Sequence, residues 1–507
     1  MPVKAGARDM NIAADKHVKT TGPRRVSHAT ILLAIVALAV LFCLTVSILI
    51  DSGDEGQAEF PITATFALNG LLGVVMLCKS IADRPFSLVQ IHWMFYLTMF
   101  VVAPYSQYLY DYSPWGFALS SDDYFITNCV LLLWGCLFAF FSNCGGALKD
   151  LGSQKSFYDS LPKINGGVAT RVFVFSLIAT VVVVGLIGFE NLFSRDTASV
   201  DLDKTAGILF NSCFRPMPVF AFVLLLARAK QQRKLSPTLV VSFVFVILAC
   251  FPTGMARYNM AFIYGGILIL ACGPLFEKKG LFPLLLLLGF LIVFPAANAY
   301  RHDDFTLAMF GDALVDALVN LPSGFCTADY DAYSIVARTL RYVNEFGPAN
   351  GYQLLGVLLF FVPRVIWPEK PVGSGSLIAS AQGQSFVNIS SPLPAEGVVN
   401  FGVVGLILFA VFAAVACRFL DKRFGDSSSV FRLFYPFACL LFFFMMRGDL
   451  LSSFAYSVGG LVSFAVVCLI GMGPKAVFSR KAALDEKETL SVADEKKDAR
   501  RLPGRFN

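Results

Sequence analysis

The chain has 507 residues, of which 56% are apolar and only 15% charged, with 50 phenylalanines. So few charges cannot cover the surface of a soluble protein of this size. The apolar residues also come in runs of about 20, the length that crosses a bilayer. The formal charge of +6 is spread over short loops and tails between those runs, which argues against a nucleic-acid partner and for loops facing the cytoplasm.

Residues 1–28 form a basic tail carrying Lys4, Arg8, Lys16, Lys19, Arg24 and Arg25. The apolar run at 29–50 follows. It is too long for a cleaved signal peptide and has no A-x-A-like site after it, so it is expected to be the first spanning helix. Further spans are predicted at 62–82, 88–104, 124–142, 169–189, 207–227, 236–252, 258–275 and 281–299, then at 397–417, 430–447 and 453–472. The fold class is therefore an all-α integral membrane protein of about 12 transmembrane helices. Nine lie within 29–299 and three within 397–472, and both termini are expected in the cytoplasm.

Loop charge sets the orientation. Lys79 and Arg84, then Lys149, Lys155 and Lys163, the run RAKQQRK at 228–234, Lys278 and Lys279, and Arg418, Lys422 and Arg423 fall inside. The acidic DSGDEGQAE at 51–59 and the aromatic, cation-free segment 105–123 fall outside. The apolar stretch YQLLGVLLFFVPRVIW at 352–367 breaks this alternation if it spans, and Pro363 and Arg364 interrupt it. It is expected instead to lie on, or re-enter from, the outer leaflet within one long external loop, 300–396. Residues 473–507 read as a charged, disordered cytoplasmic tail. The twelve cysteines lie mostly in or beside apolar runs, with Cys326 in the external loop. They read as small packed hydrophobes without a metal or redox role.

Ionisable residues at helix ends are the candidates for chemistry, because burying them is costly. Arg257 follows a Pro-Gly break, PTGMA at 252–256. It suits phosphate oxygens at the outer leaflet, or it merely snorkels at a helix end. In NAYRHDD at 298–304, Arg301 offers a planar fork for a diphosphate and His302 a proton acceptor near neutral pH, although such residues also mark any helix exit into water. An amphipathic helix is predicted in 327–346, with Arg338 and Arg341 on one face. Those arginines suit an anionic ligand, and lipid headgroups equally. Asp329 and Asp331 make a DxD pattern with no Gly-rich nucleotide loop nearby, so no metal is expected. Pro363, Pro368 and Pro371 deny VPRVIWPEKPVGSG (362–375) a regular helix and display Arg364 and Lys370 from a stiff loop. Glu396 precedes a span whose Gly397, Gly402 and Gly405 permit close helix approach. Its charge suits a helix N-terminus as well as a reaction. Arg447, in MMRGDLL, lies at an external helix end.

The order of these features resembles the Wzy-type oligosaccharide repeat-unit polymerases, the O-antigen polymerase family. PRVIWPEKP at 363–371 is similar to that family's PRxIWPxKP segment. AEGVVNFGVVG at 395–405 is similar to its GE…NFGxxG, with Ala395 in place of the glycine. The likeness covers roughly residues 250–410. It implies a metal- and cofactor-independent glycosyltransferase of the bacterial inner membrane that joins undecaprenyl-diphosphate-linked oligosaccharides at the periplasmic face. Undecaprenyl diphosphate is the leaving group, and a polysaccharide chain-length regulator is the protein partner to expect. On that reading Arg257, Arg301 and Arg364 clamp the diphosphate, with Lys370 beside them. Arg338 and Arg341 bind the second lipid diphosphate or the acceptor chain, and Glu396 or His302 accepts the hydroxyl proton. An O-antigen ligase uses the same donor on the same side. A flippase for the same lipid is the transport alternative, but it would be expected to show repeat symmetry, which this sequence lacks.

Overall fold

A computed structural model describes residues 59–144, 158, 159, 161–193, 204–273, 278–289, 292, 307–319, 324–426 and 429–474. The predicted span at 29–50, most of 290–299, the NAYRHDD cluster with Arg301 and His302, and the tail from 475 lie outside the described residues. Every regular element among the described residues is helical.

Among the described residues, eight helices are long and apolar enough to cross a membrane. They are α1 (Phe60–Asp83), α2 (Leu88–Leu109), α3 (Ser121–Asn143), α4 (Gly166–Ile187), α5 (Thr205–Gln232), α13 (Leu393–Asp426), α14 (Tyr435–Arg447, led in by a turn from Val430) and α15 (Leu450–Met472). Between α5 and α13 lie α6 (Pro237–Ala249), α7 (Arg257–Ala271), α8 (Leu281–Leu288), α9 (Leu307–Val319), α10 (Ala332–Phe346), α11 (Tyr352–Leu358) and α12 (Ser374–Ala381). Two predicted spans are shorter than expected: α6 has 13 residues and α7 has 15. At 1.5 Å per residue they reach about 20 Å, less than the hydrocarbon thickness of about 30 Å. The cause is the Pro252–Gly254 turn, which ends one and begins the other.

Local sequence explains the helix starts. Ser120 and Asp123 form a reciprocal capping box before α3. Asn165, Ser236 and Asp449 cap α4, α6 and α15. The helices then gather around two buried axes, since the spanning windows of α2 and α5 are 89% and 72% buried. Around α2 pack α1, α3, α10 and α13. Around α5 pack α4, α6, α7 and α15. Helix α14 joins the two cores. Tyr435, Cys439 and Met446 face the first, while Phe434, Phe437 and Leu441 face the second. Every cysteine among the described residues is a free thiol.

The 352–367 stretch does not form a spanning helix. Its helix, α11, is only seven residues long, about 10 Å, and a series of turns follows. Val365 is 90% exposed and Ile366 75%, with Leu358 and Phe361 also exposed. An apolar tip of this kind suits contact with a bilayer surface.

Candidate arginine–carboxylate site

At one end of the bundle, two elements bring arginines to the segment 328–331. Arg257 is the first residue of α7, and its guanidinium grips Asp329 bidentately, Nη2–Oδ1 at 2.8 Å and Nη1–Oδ2 at 3.2 Å. The turn before it is fixed by a residue that sequence reading missed. Arg215, buried inside α5, donates to Ala249 O (2.9 Å) and Gly254 O (3.1 Å), which ends α6 and shapes the PTG turn. Gly254 is obligatory there, since a Cβ would overlap the Leu192 carbonyl. Arg447, at the end of α14, closes the other side. It donates to Asp329 O (3.0 Å) and to Asp331 Oδ1 (3.1 Å).

Asp331 starts α10 and is almost fully buried. It also accepts from Ser390 Oγ (2.8 Å) and Trp115 Nε1 (2.9 Å). The DxD pair therefore works by holding arginines. Trp115 sits in the left-handed region, φ 62°, and stacks on Phe386. The aromatic segment 105–123 is thus part of this site.

Helix α10 is amphipathic as predicted, but residues Ala332–Thr339 are all buried in protein rather than laid on lipid. Arg338 and Arg341 share the ring of Phe117, each guanidinium 4.8 Å from its centroid. Arg341 is the outward member, with 39% of its side chain exposed. It pairs with Asp123, Nε–Oδ1 at 2.8 Å. Arg338 is the inward member, 0% exposed. Its Nε donates to Gln382 Oε1 (2.7 Å), whereas Nη1 and Nη2 find no hydrogen-bond partner among the described residues. Burial lowers the pKa of this guanidinium, and the Asp331 charge opposes that shift.

Glu396 is held away from solvent. Ser374 Oγ donates to its Oε2 (2.7 Å) and Leu450 N to its Oε1 (3.1 Å). Asp449 mirrors it, accepting from Gly375 N (3.1 Å) and Leu451 N (3.0 Å). Each carboxylate thus meets the N-termini of both α12 and α15, where helix dipoles favour negative charge. A Cβ on Gly373 would overlap the Asp449 carboxylate, so the GSG run lets backbone approach it. Burial raises the pKa of Asp449 above its ordinary value.

The NFG element bends α13. Phe401 leaves helical geometry and Gly402 adopts φ 62°, ψ −144°, so residues 393–400 fold back until Gly397 and Gly405 touch backbone to backbone. Asn400 secures this elbow by accepting from Leu354 N (2.9 Å) and donating to Glu396 O (2.9 Å).

Arg364 and Lys370, expected in the diphosphate clamp, each donate to carbonyls of their own loop. Arg364 donates to Lys370 O (2.6 Å) and Pro371 O (3.3 Å). Lys370 Nζ donates to Phe360 O (2.6 Å) and Val362 O (3.0 Å). Prolines and turns strip helical partners from these carbonyls, and the two cations replace them. The structure thus gathers Arg257, Arg338, Arg341 and Arg447 with Asp329 and Asp331. It sets Glu396 nearby as a buried pin and uses Arg364 and Lys370 to close their own loop. Comparisons with protein-family models, curated proteins and solved structures returned no match.

Proposed function

We propose that this chain is a glycosyltransferase that polymerises undecaprenyl-diphosphate-linked oligosaccharide units at the periplasmic face of a bacterial inner membrane. It would have about a dozen spans and both termini in the cytoplasm. The observation that carries this reading is Arg338: a buried guanidinium with two nitrogens that have no hydrogen-bond partner among the described residues, one helical turn from the more exposed Arg341 on the same aromatic ring. A buried donor without a partner is costly, and an oxyanion arriving past Arg341 would satisfy it. The placement of charge fits as well. Lys79, Arg84 and Arg418 lie at the opposite ends of the helices that form the site, as expected if the site faces away from the cytoplasm.

In the transfer, an acceptor sugar hydroxyl forms a new bond to the anomeric carbon of the donor. The bond from that carbon to the diphosphate oxygen breaks, and the diphosphate leaves with the electron pair. Fixed guanidinium groups stabilise the charge that develops on it. Arg257 and Arg447 reach this site already oriented by Asp329 and Asp331. Glu396, screened by Ser374, acts as a positioning residue, and the hydroxyl proton goes to a separate base, for which His302 is the sequence candidate.

The test is Arg338→Lys, which keeps the charge and loses the fork, with membrane level checked by immunoblot. Collapse of the surface polysaccharide ladder to one repeat unit supports the proposal. Full chains retained on the lipid carrier would assign a ligase instead. A normal ladder would remove Arg338 from the site.

A further inference from the structure

At the end of the bundle remote from the arginine–carboxylate site, the C-terminal ends of α1 and α3, the N-terminus of α2 and the late turns of α13 surround a cavity of about 260 Å³. Its walls include Lys79, Arg84, Arg418 and Asp83, so cations outnumber carboxylates three to one. Arg84 is 1% exposed, and one nitrogen, Nη1, is committed to the Asp421 carbonyl at 2.5 Å. Its Nε is buried without a hydrogen-bond partner among the described residues. Ser87 also lines the cavity. Its Oγ accepts the Gln90 amide at 3.1 Å, which leaves the hydroxyl proton able to donate. The floor of the cavity is therefore a fixed guanidinium with an unmade bond beside a hydroxyl donor, while the first amides of α2 are already taken by buried Asp421, which accepts from Leu88 N (3.0 Å) and Val89 N (3.5 Å).

We infer that this cavity binds a phosphate oxyanion, supplied by the headgroup of an anionic phospholipid. The ring of helix ends puts it at headgroup depth. Lys79 is exposed on the rim, while Leu71 and Val75 on α1 are exposed along the apolar flank that lipid chains would follow. Basic recesses between spanning helices are suited to acidic headgroups. A soluble phosphate ester offers the same oxyanion without the acyl chains, so the two sources are separable by experiment.

The full chain, purified in detergent, would be titrated with dioleoyl phosphatidylglycerol or dioleoyl phosphatidylcholine, and retained lipid counted by native mass spectrometry. Inorganic phosphate serves as competitor. The variants are Lys79→Gln, on an exposed side chain that leaves packing intact, and Arg84→Gln. Expected results are selective retention of phosphatidylglycerol, a several-fold loss of that preference in Lys79→Gln, and no displacement by millimolar phosphate. Displacement by phosphate, with the same Lys79 dependence, supports the oxyanion site and assigns it to a soluble ester. Equal retention of both lipids, unchanged by Lys79→Gln, with no phosphate effect, overturns the inference whatever Arg84→Gln does to folding.

Discussion

Glu396 and Asp449, far apart in the chain, accept hydrogen bonds from the same two helix N-termini, those of α12 and α15. Two buried carboxylates so close together would repel if each had only water to lose. Each instead meets fixed N–H or O–H donors and two positive dipole ends. This clasp sets where α12 stands, and with it Gln382 just after its end, the residue that holds Arg338.

Replacing Glu396 with Gln places an amide N–H₂ opposite a donor and leaves a buried hydrogen bond unmade. A loss of about 2 kcal/mol is expected, read as a lower midpoint of thermal unfolding in detergent. Asp449→Asn should cost a similar amount. The two losses should not add, because each carboxylate repels the other.

The pKa shift of Asp449 fixes the sign of a pH dependence. Burial raises its pKa in the folded protein, so between the ordinary carboxylate value of about 4 and the raised value the folded state holds more protons than the unfolded one. Stability therefore falls as pH rises through that window. Asp449→Asn should flatten this part of the stability–pH curve, and an unchanged slope would show that another group carries it.

Gly402 sits where φ is positive and ψ is near −144°, a region open essentially to glycine alone. Gly402→Ala should cost about 1–3 kcal/mol and lower the amount of protein in the membrane. Gly402→Ser should behave alike, since any Cβ makes this backbone conformation strained, although it meets no neighbour there.

Arg364→Ala and Lys370→Met each strip donors from backbone carbonyls of the proline loop. The expected result is greater cleavage of 359–371 by added protease. Arg364→Lys should rescue only partly, because one ammonium cannot match a guanidinium that spans Lys370 O and Pro371 O.

The exposed tip at Val365 and Ile366 predicts membrane contact by the neighbouring Trp367. Brominated lipids should quench tryptophan fluorescence, and Trp367→Phe should remove most of that quenching. Trp93 and Trp134 are fully buried, and Trp115 is bonded to Asp331.

The apolar runs made the long helices legible, because hydropathy over 20 residues reports the bilayer directly. Prolines and glycines likewise located the breaks at 252–256 and 363–371. The partners of the charges were not legible. Arg364 and Lys370 read as displayed cations, yet carbonyls released by the prolines draw them back into the loop. Asp329 and Asp331 stood out in the sequence only as a DxD pattern without a role, because their arginines, Arg257 and Arg447, lie far away in sequence. Asp449 and Ser374 gave no signal beyond a helix cap and a flexible GSG run. Arg215 was the recoverable omission: an arginine inside an apolar run is itself a flag.

The elements around Asp331 are contributed by Trp115, by Ser390 and, last along the chain, by Arg447, while the α12 clasp waits for Leu450 and Leu451. A ribosome delivers these in order, so a chain released before residue 447 has Asp331 buried with part of its charge unanswered. The arginine–carboxylate cluster can therefore mature only when the final hydrophobic segment enters the membrane. Nascent or truncated chains would present an unfinished cluster to the proteases that police membrane insertion.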